Sequence, residues 1–334
     1  MIQEKHLSEN RIWQGIPSIA VSYRGRVFEA HYSGGTGEMV GNYVILSYSD
    51  DSINFKILRV YEPDVNKRFF DPALFKGSDG EIHLTFSECE GMIYDGVAGV
   101  FECICFSPDD DIIEFTDPVR ICDGIMMNKP TITEKGVWLY PVSLWHLGPL
   151  YQGITTNEGS YVYHGVTHKS IGKADIGAYS CDEHMIVERI DHSLWMLIRT
   201  SYGIGESFSY DGGKTWSQGQ KCSIESPVSR FFIRRLDSGR ILLINHDDFK
   251  GRNNLYALLS EDDGLTFKYR LLIDRRDHVS YPDADFYNGK IYIIHDRERY
   301  KEGEILLSCI TEQDILNGVI HDDSFLCRVV DKIR

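Results

Sequence analysis

Apolar and polar positions alternate along most of the chain in short bursts that end in Gly- or Asp-rich turns. IPSIAVS-YRG-RVFEAHY, DPALFKG-SDG-EIHLTFS, KPTIT-EKG-VWLYPVSLW, FFIRRL-DSG-RILLINH and YPDADFY-NG-KIYIIHD each read as strand, tight turn, strand. Period-two alternation predicts strands with one face buried, and Ser78-Asp79-Gly80 and Asn288-Gly289 offer the residues that hairpin turns require. Helical periodicity is confined to Thr311–Leu316, where a Thr cap predicts one short turn of helix.

The strand pairs open at a recurring signature: Ile16-Pro17-Ser18, Asp71-Pro72-Ala73, Lys129-Pro130-Thr131, Glu183-His184-Met185, Arg230-Phe231-Phe232 and Tyr281-Pro282-Asp283, spaced 47 to 58 residues apart. A period of this size filled with short strands marks radial repetition, and six copies predict an all-β, six-bladed β-propeller. No composition break divides the chain, so residues 1–334 are expected to form one domain. Proline has no N–H to donate and is expected at the start of a strand. A propeller turns equivalent positions of each blade toward one axis, so Asp71, Lys129, Glu183, Arg230 and Tyr281 are expected to converge.

Two segments repeat a sharper pattern between later strands. Ser209-Tyr210-Asp211-Gly212-Gly213-Lys214-Thr215-Trp216 and Ser260-Glu261-Asp262-Asp263-Gly264-Leu265-Thr266-Phe267 both fit S-x-D-x-G-x-T-[WF], with degraded copies at Ser49 to Phe55 and Ser107 to Phe115. Asp accepts turn N–H groups, Gly supplies positive φ and the aromatic packs between strands.

The net charge of −15 argues against a nucleic-acid partner, since phosphate binding needs basic patches. It leaves room for a small anionic ligand, because surface charge is screened beyond ~10 Å. No apolar run approaches the ~20 residues that span a bilayer, so no membrane partner is expected. MIQEKHLSENRIW lacks a signal-like apolar stretch, giving the expectation of a cytoplasmic protein whose eight cysteines stay as thiols. The cysteines show no metal-ligand spacing, and His246-Asp247-Asp248 has no second histidine at ligand distance in sequence, so neither metal nor cofactor is expected.

With its two S-x-D-x-G-x-T-[WF] motifs, the Asp-boxes of sialidases, the chain resembles the sialidase superfamily over nearly its whole length. MMNKPTITEKGVWLYPVSLW, SRFFIRRLDSGRILLINH and SYPDADFYNGKIYIIHDRERYKEGEILLS carry the likeness to bacterial sialidase-like glycosyl hydrolases. The resemblance implies three arginines on a substrate carboxylate, a Tyr–Glu pair at the anomeric carbon, and an acid/base aspartate. It assigns Tyr281 as nucleophile, Glu183 as its activator, and Arg199 and Arg252 as carboxylate-binding arginines. It also exposes two departures. The arginine of the N-terminal Arg-Ile-Pro motif is Gly15 here, and the acid/base aspartate corresponds to Asn42, which cannot shuttle a proton.

The chemistry is coherent. A neutral phenol can approach an anomeric carbon bearing a carboxylate, where a charged nucleophile would be repelled. With a pKa near 10, it needs an adjacent base. The acid/base stays open between Glu38, if the SGGTGEMVGNY loop folds inward, and Asp71. Arg230 could add a third arginine, and Lys129 could bind a carboxylate or hydroxyl. Tyr202, Asp283 and Arg297, with His246 and Asp296, lie at strand ends expected to border the pocket, whereas His184 should point away from it. The leading expectation is an exo-acting glycoside hydrolase for a sialic, other ulosonic or uronic acid. A uronate lyase and a non-catalytic carbohydrate-binding propeller are the alternatives.

Overall fold

The computed structural model describes residues 11–91, 98–147 and 155–333. They form six antiparallel sheets arranged as the blades of a β-propeller, each a meander of strands taken in chain order from the axis outward. The blades span residues 14–61, 67–123, 125–174, 179–221, 232–274 and 279–331. In the first blade the inner strands Gln14–Val21 and Val27–Ser33 are buried throughout, while the outer strand Lys56–Tyr61 is largely open to solvent. This gradient explains the sequence pattern: runs nearest the axis read as almost continuous apolar segments, and alternation sharpens toward the rim. The helix Glu312–Asn317 begins at Thr311, whose side chain and that of Asp314 form a capping box, and it ends at Gly318 in the left-handed conformation.

The Asp-boxes tie adjacent strands together as their chemistry requires. The Asp211 carboxylate accepts from the Thr215 amide at 2.9 Å and hydroxyl at 2.6 Å, and Asp262 accepts from the Thr266 amide at 2.8 Å. In the degraded copy at Ser49 to Phe55, Asp51 still accepts from the amides of Ile53 and Asn54.

The signature stands at a strand start, as expected, in the third and fifth blades, where strands begin at Thr131 and Phe232, but it marks a different feature in the other four. In four blades the innermost strand carries a β-bulge within its length, where the register slips between Gly15 and Ser18, Phe70 and Ala73, Asp182 and Met185, and Ser280 and Asp283. Proline fits because a bulged residue makes no ladder bond. The residue that opens the signature is left-handed in every case, before proline in three blades and before His184 in the fourth: Ile16 at φ 58°, Asp71 at 50°, Glu183 at 45° and Tyr281 at 53°. Cys181 and Asp182 extend the same conformation ahead of Glu183. Such backbone costs on the order of 1–3 kcal/mol per residue, so the surrounding packing must hold it.

Among the described residues each sheet is built from one contiguous stretch, so there the first and last blades meet by side chains instead of sharing a strand. Carboxylates of the last blade cover the edge of the first. Asp296 accepts from the Ile16 amide at 2.7 Å, Asp283 from Ile19 at 2.9 Å and Asp285 from Val21 at 2.7 Å. They satisfy backbone donors that an inner edge strand would otherwise leave open.

Candidate active site

Two bulges and the strand beside one of them bring three of the expected residues together. The Tyr281 hydroxyl donates to Glu183 Oε1 at 2.6 Å. Arg199 Nη1 donates both to Glu183 Oε2 at 2.8 Å and to the Tyr281 oxygen at 2.9 Å. All three side chains are buried. Glu183 and Arg199 face each other because their strands, Tyr179–Glu188 and Leu194–Thr200, pair side by side; Tyr281 arrives from two blades further round. Burial, and then the Glu183 carboxylate, push the Tyr281 phenol well above its usual range against the pull of Arg199, Arg299 and Arg252. Burial alone would lower Arg199, but Glu183 and Tyr281 outweigh it and hold the guanidinium firmly charged.

Guanidinium groups crowd the phenol ring. The Cζ atoms of Arg252, Arg230 and Arg299 lie 5.4, 5.0 and 4.1 Å from the Tyr281 ring centroid. Arg252 makes one bond, from Nη2 to the Val228 carbonyl at 3.1 Å, and has no carboxylate partner among the described residues. Arg199 Nε is buried with no acceptor. Charged donors are seldom left unpaired in a protein interior, so the cluster suits an anionic ligand.

Asp71 faces the same space from the second blade. Its carboxyl is buried and accepts no hydrogen bond among the described residues. Burial, followed by repulsion from Glu38 and Glu183, raises its pKa to about 7 against the pull of Arg230 and Arg68. Glu38 comes from the 34–41 loop, which does turn inward: Asn42 Nδ2 donates to the carbonyls of Gly34 at 2.8 Å and Gly37 at 3.1 Å, pinning it. Asn42 is therefore committed to holding the loop. Glu38 is part-exposed, with Oε1 3.7 Å from Arg299 Nη1. Cys181 sits beside these groups, its thiol pushed up to about 12 by burial and then by Glu183.

Five expected substrate contacts, Lys129, Asp283, Arg230, Arg297 and Tyr202, are not placed to grip a ligand at this cluster. Lys129 Nζ is fully buried on the carbonyls of Ile19 and Ala284 and lies 3.2 Å from Asp283 Oδ2. Burial then depresses its pKa. Asp283 also accepts from the Ser18 hydroxyl and the Ile19 amide. Lys129 and Asp283 thus plug the channel. Lys129 does meet groups of the first and last blades, but these three contacts occupy its donors. Arg230 donates through Nη1 and Nη2 to the carbonyls of Met127, Pro17 and Tyr281, bracing the bulges, while its Nε is buried with no acceptor. Arg297 pairs with Glu304 on the neighbouring strand at 2.8 Å. Tyr202, 38% exposed, folds back toward Gly205 of its own hairpin and does not reach the cluster. His184 points away as expected, bonded to the Tyr161 carbonyl at 2.9 Å, and burial lowers it to about 4.

Beyond the plug, at the other ends of the innermost strands, a cavity of about 560 Å³ is bordered by Tyr23, Phe75, Lys76, Arg234 and Phe286. Elsewhere Asp274, His295 and Cys327 bring ligand-type atoms within 4.8 Å of one another. Arg276 already grips the Asp274 carboxylate at 2.9 and 2.7 Å, supplying the cation that this group needs.

Sequence reasoning missed Arg299. It lies just beyond the strand Lys290–Arg297, two residues past the arginine that the repeat spacing singles out, and the chain curls back to bring it over Tyr281. Arg68 was missed too. It is buried beside Asp71 with its guanidinium 4.2 Å from the Phe70 ring centroid.

Comparison with known proteins agrees with this architecture. The BNR repeat-like domain matches residues 59–293, and the chain belongs to that family. No curated protein matches. Among solved structures, the chain is similar to the Hadza microbial sialidase Hz136, with a TM-score of 0.72 and 13% identity over 92% of this chain and 67% of that one. It is also similar to a Dyadobacter fermentans protein of unknown function (TM-score 0.65, 14% identity, 90% of this chain and 94% of that one). Trypanosoma rangeli sialidase in complex with 2,3-difluorosialic acid, a covalent intermediate, is a third (TM-score 0.67, 13% identity, 89% and 54%). At such identities the likeness shows the fold, a sialidase-type six-bladed propeller.

Proposed function

We propose that the protein is an exo-acting glycoside hydrolase of a sugar acid, with Tyr281 as nucleophile, Glu183 as its base and Asp71 as acid/base. The observation that carries this reading is the buried Tyr281–Glu183–Arg199 triangle, with contacts of 2.6, 2.8 and 2.9 Å. The phenol is held strongly protonated, so it cannot wait as a phenolate; its proton must pass to Glu183 as the new bond forms. Arg199 steadies Glu183 before that transfer and shares a donor with the phenol oxygen throughout. Tyr281 Oη then bonds to the anomeric carbon, the glycosidic C–O bond breaks, and the leaving oxygen takes the Asp71 proton. In the second half, water attacks the anomeric carbon and loses its proton to Asp71. The tyrosyl C–O bond breaks, and Glu183 returns its proton to the phenol.

An acid catalyst is most effective with a pKa near the working pH, and Asp71 at about 7 meets that condition. The T. rangeli covalent intermediate lends support, since a nucleophile on this fold can form a glycosyl bond. The test is turnover of aryl glycosides of sialic, 3-deoxy-ulosonic and uronic acids by the wild type and Tyr281→Phe. Release of aryl alcohol by the wild type alone supports the assignment. Full activity in Tyr281→Phe, or an unsaturated product absorbing in the ultraviolet, refutes it.

A further inference from the structure

Gly15 occupies the position at which the resemblance calls for an arginine, and its backbone does not require glycine, because its φ lies outside the positive range. What it lacks is room. A Cβ built on Gly15 would stand 2.8 Å from both Cδ and Nε of Arg299 and 2.9 Å from Cγ. Those atoms belong to the middle of a side chain that is tethered at its far end, so they cannot simply swing aside. The Arg299 Nε donates to Asp296 Oδ2 at 2.8 Å and Nη2 to the Ser280 hydroxyl at 3.1 Å. Two nitrogens are fixed, and the third, Nη1, has no hydrogen bond. Its nearest carboxylate is Glu38 at 3.7 Å, too long for a hydrogen bond and short enough for an ion pair. Glu38 rides on the glycine-containing loop that Asn42 pins from behind.

We infer that Arg299, threaded across Gly15 from the last blade, is a carboxylate-receiving guanidinium of the site beside Arg199 and Arg252, and that Glu38 occupies its seat until a sugar carboxylate displaces it. This rests on the sugar-acid reading above and adds to it a relocated specificity residue with an internal stand-in for the ligand. Arg299 and Glu38 arrive from opposite sides of the closure between first and last blades, so the seat exists only where those blades meet. A side chain at residue 15 and Arg299 are mutually exclusive occupants of one space.

The test is calorimetric titration with N-acetylneuraminic acid and glucuronic acid, each against its methyl ester. The proteins compared are wild type, Arg299→Lys, the swap Gly15→Arg/Arg299→Ala, and Glu38→Gln. Lysine keeps a cation near Asp296 but cannot grip Asp296 and a ligand together, which guards against misfolding. The wild type is expected to prefer at least one acid over its ester. Arg299→Lys should lose about tenfold or more of that preference, since one hydrogen bond to a charged group is worth that much. The swap should recover it, and Glu38→Gln should bind the acid several-fold more tightly than wild type. A wild-type preference retained in full by Arg299→Lys overturns the role of Arg299. Unchanged or weaker acid binding by Glu38→Gln overturns the stand-in role. A wild type that binds no acid in preference to its ester overturns the sugar-acid reading itself, and this inference falls with it.

Discussion

The Asp71 carboxyl makes a quantitative prediction because it is buried, accepts no hydrogen bond and has two carboxylate neighbours. Raising an aspartate from its ordinary value of about 3.9 to about 7 separates its protonated and ionised forms by roughly 4 kcal/mol. Between those values the folded chain binds more protons than the unfolded chain. Stability is therefore lost as pH climbs from about 4 to about 7, and the loss is complete above that window. Asp71→Asn removes the ionisable proton and keeps the shape, and asparagine tolerates the left-handed conformation at φ 50°. The variant should gain stability relative to wild type with rising pH, by about 2 to 3 kcal/mol between about pH 5 and about pH 8.5. Urea unfolding followed by tryptophan fluorescence at both pH values measures this as a difference in midpoint at constant slope. A gain that does not change with pH, or a variant less stable than wild type at the alkaline value, would refute the argument that burial and Glu38 hold this carboxyl protonated. The same variant should lose turnover on substrates with poor leaving groups, so stability and activity move in opposite directions.

Lys129→Met removes the countercharge of buried Asp283 and the donor to two carbonyls and should cost about 3–5 kcal/mol, measured by chemical unfolding; Lys129→Met/Asp283→Asn, which keeps an acceptor for the Ser18 hydroxyl and the Ile19 amide, should recover part of it. Glu183→Gln keeps an acceptor for the Tyr281 hydroxyl but removes both the base and the countercharge of buried Arg199, so turnover of aryl glycosides should be lost and the thermal midpoint should fall, while the far-ultraviolet dichroism below the transition stays native. Asp211→Ala breaks an Asp-box remote from the cluster and should lower the thermal midpoint without altering sugar-acid affinity by calorimetry.

The fold was legible because its signals are local. Hairpin turns, Asp-boxes and period-two runs each fix a few neighbouring residues, and their repetition every fifty or so residues implies the ring. The nearness of Tyr281 and Glu183 was legible for a related reason, since equal register in different blades means proximity at the axis, while Arg199 was singled out by the resemblance. Depth along that axis was not legible. Lys129 and Arg230 share the register of Asp71 and Tyr281, but their blades lack the bulge that lifts a residue to the mouth, so they turn onto main-chain carbonyls. The bulges themselves hid behind prolines that also suit a strand start. Arg299 escaped because repeat spacing points to Arg297, where the strand ends, and spacing loses meaning in the curl that follows. The bare position at Gly15 was the available clue: an arginine missing from one place invites a search for another that fills its space.

Among the described residues no strand is shared between the first and last blades, and the spread of the site round the ring gives catalysis a second use as a reporter. Asp71, Glu183, Arg252 and Tyr281 come from the second, fourth, fifth and sixth blades, so no arc of fewer than five blades contains the whole group. An intermediate with four sheets in place would give much of the far-ultraviolet dichroism of the native protein and none of its turnover. In a refolding time course, regained turnover would time the docking of the fifth sheet, and its lag behind the dichroism would measure how long the shorter arc persists.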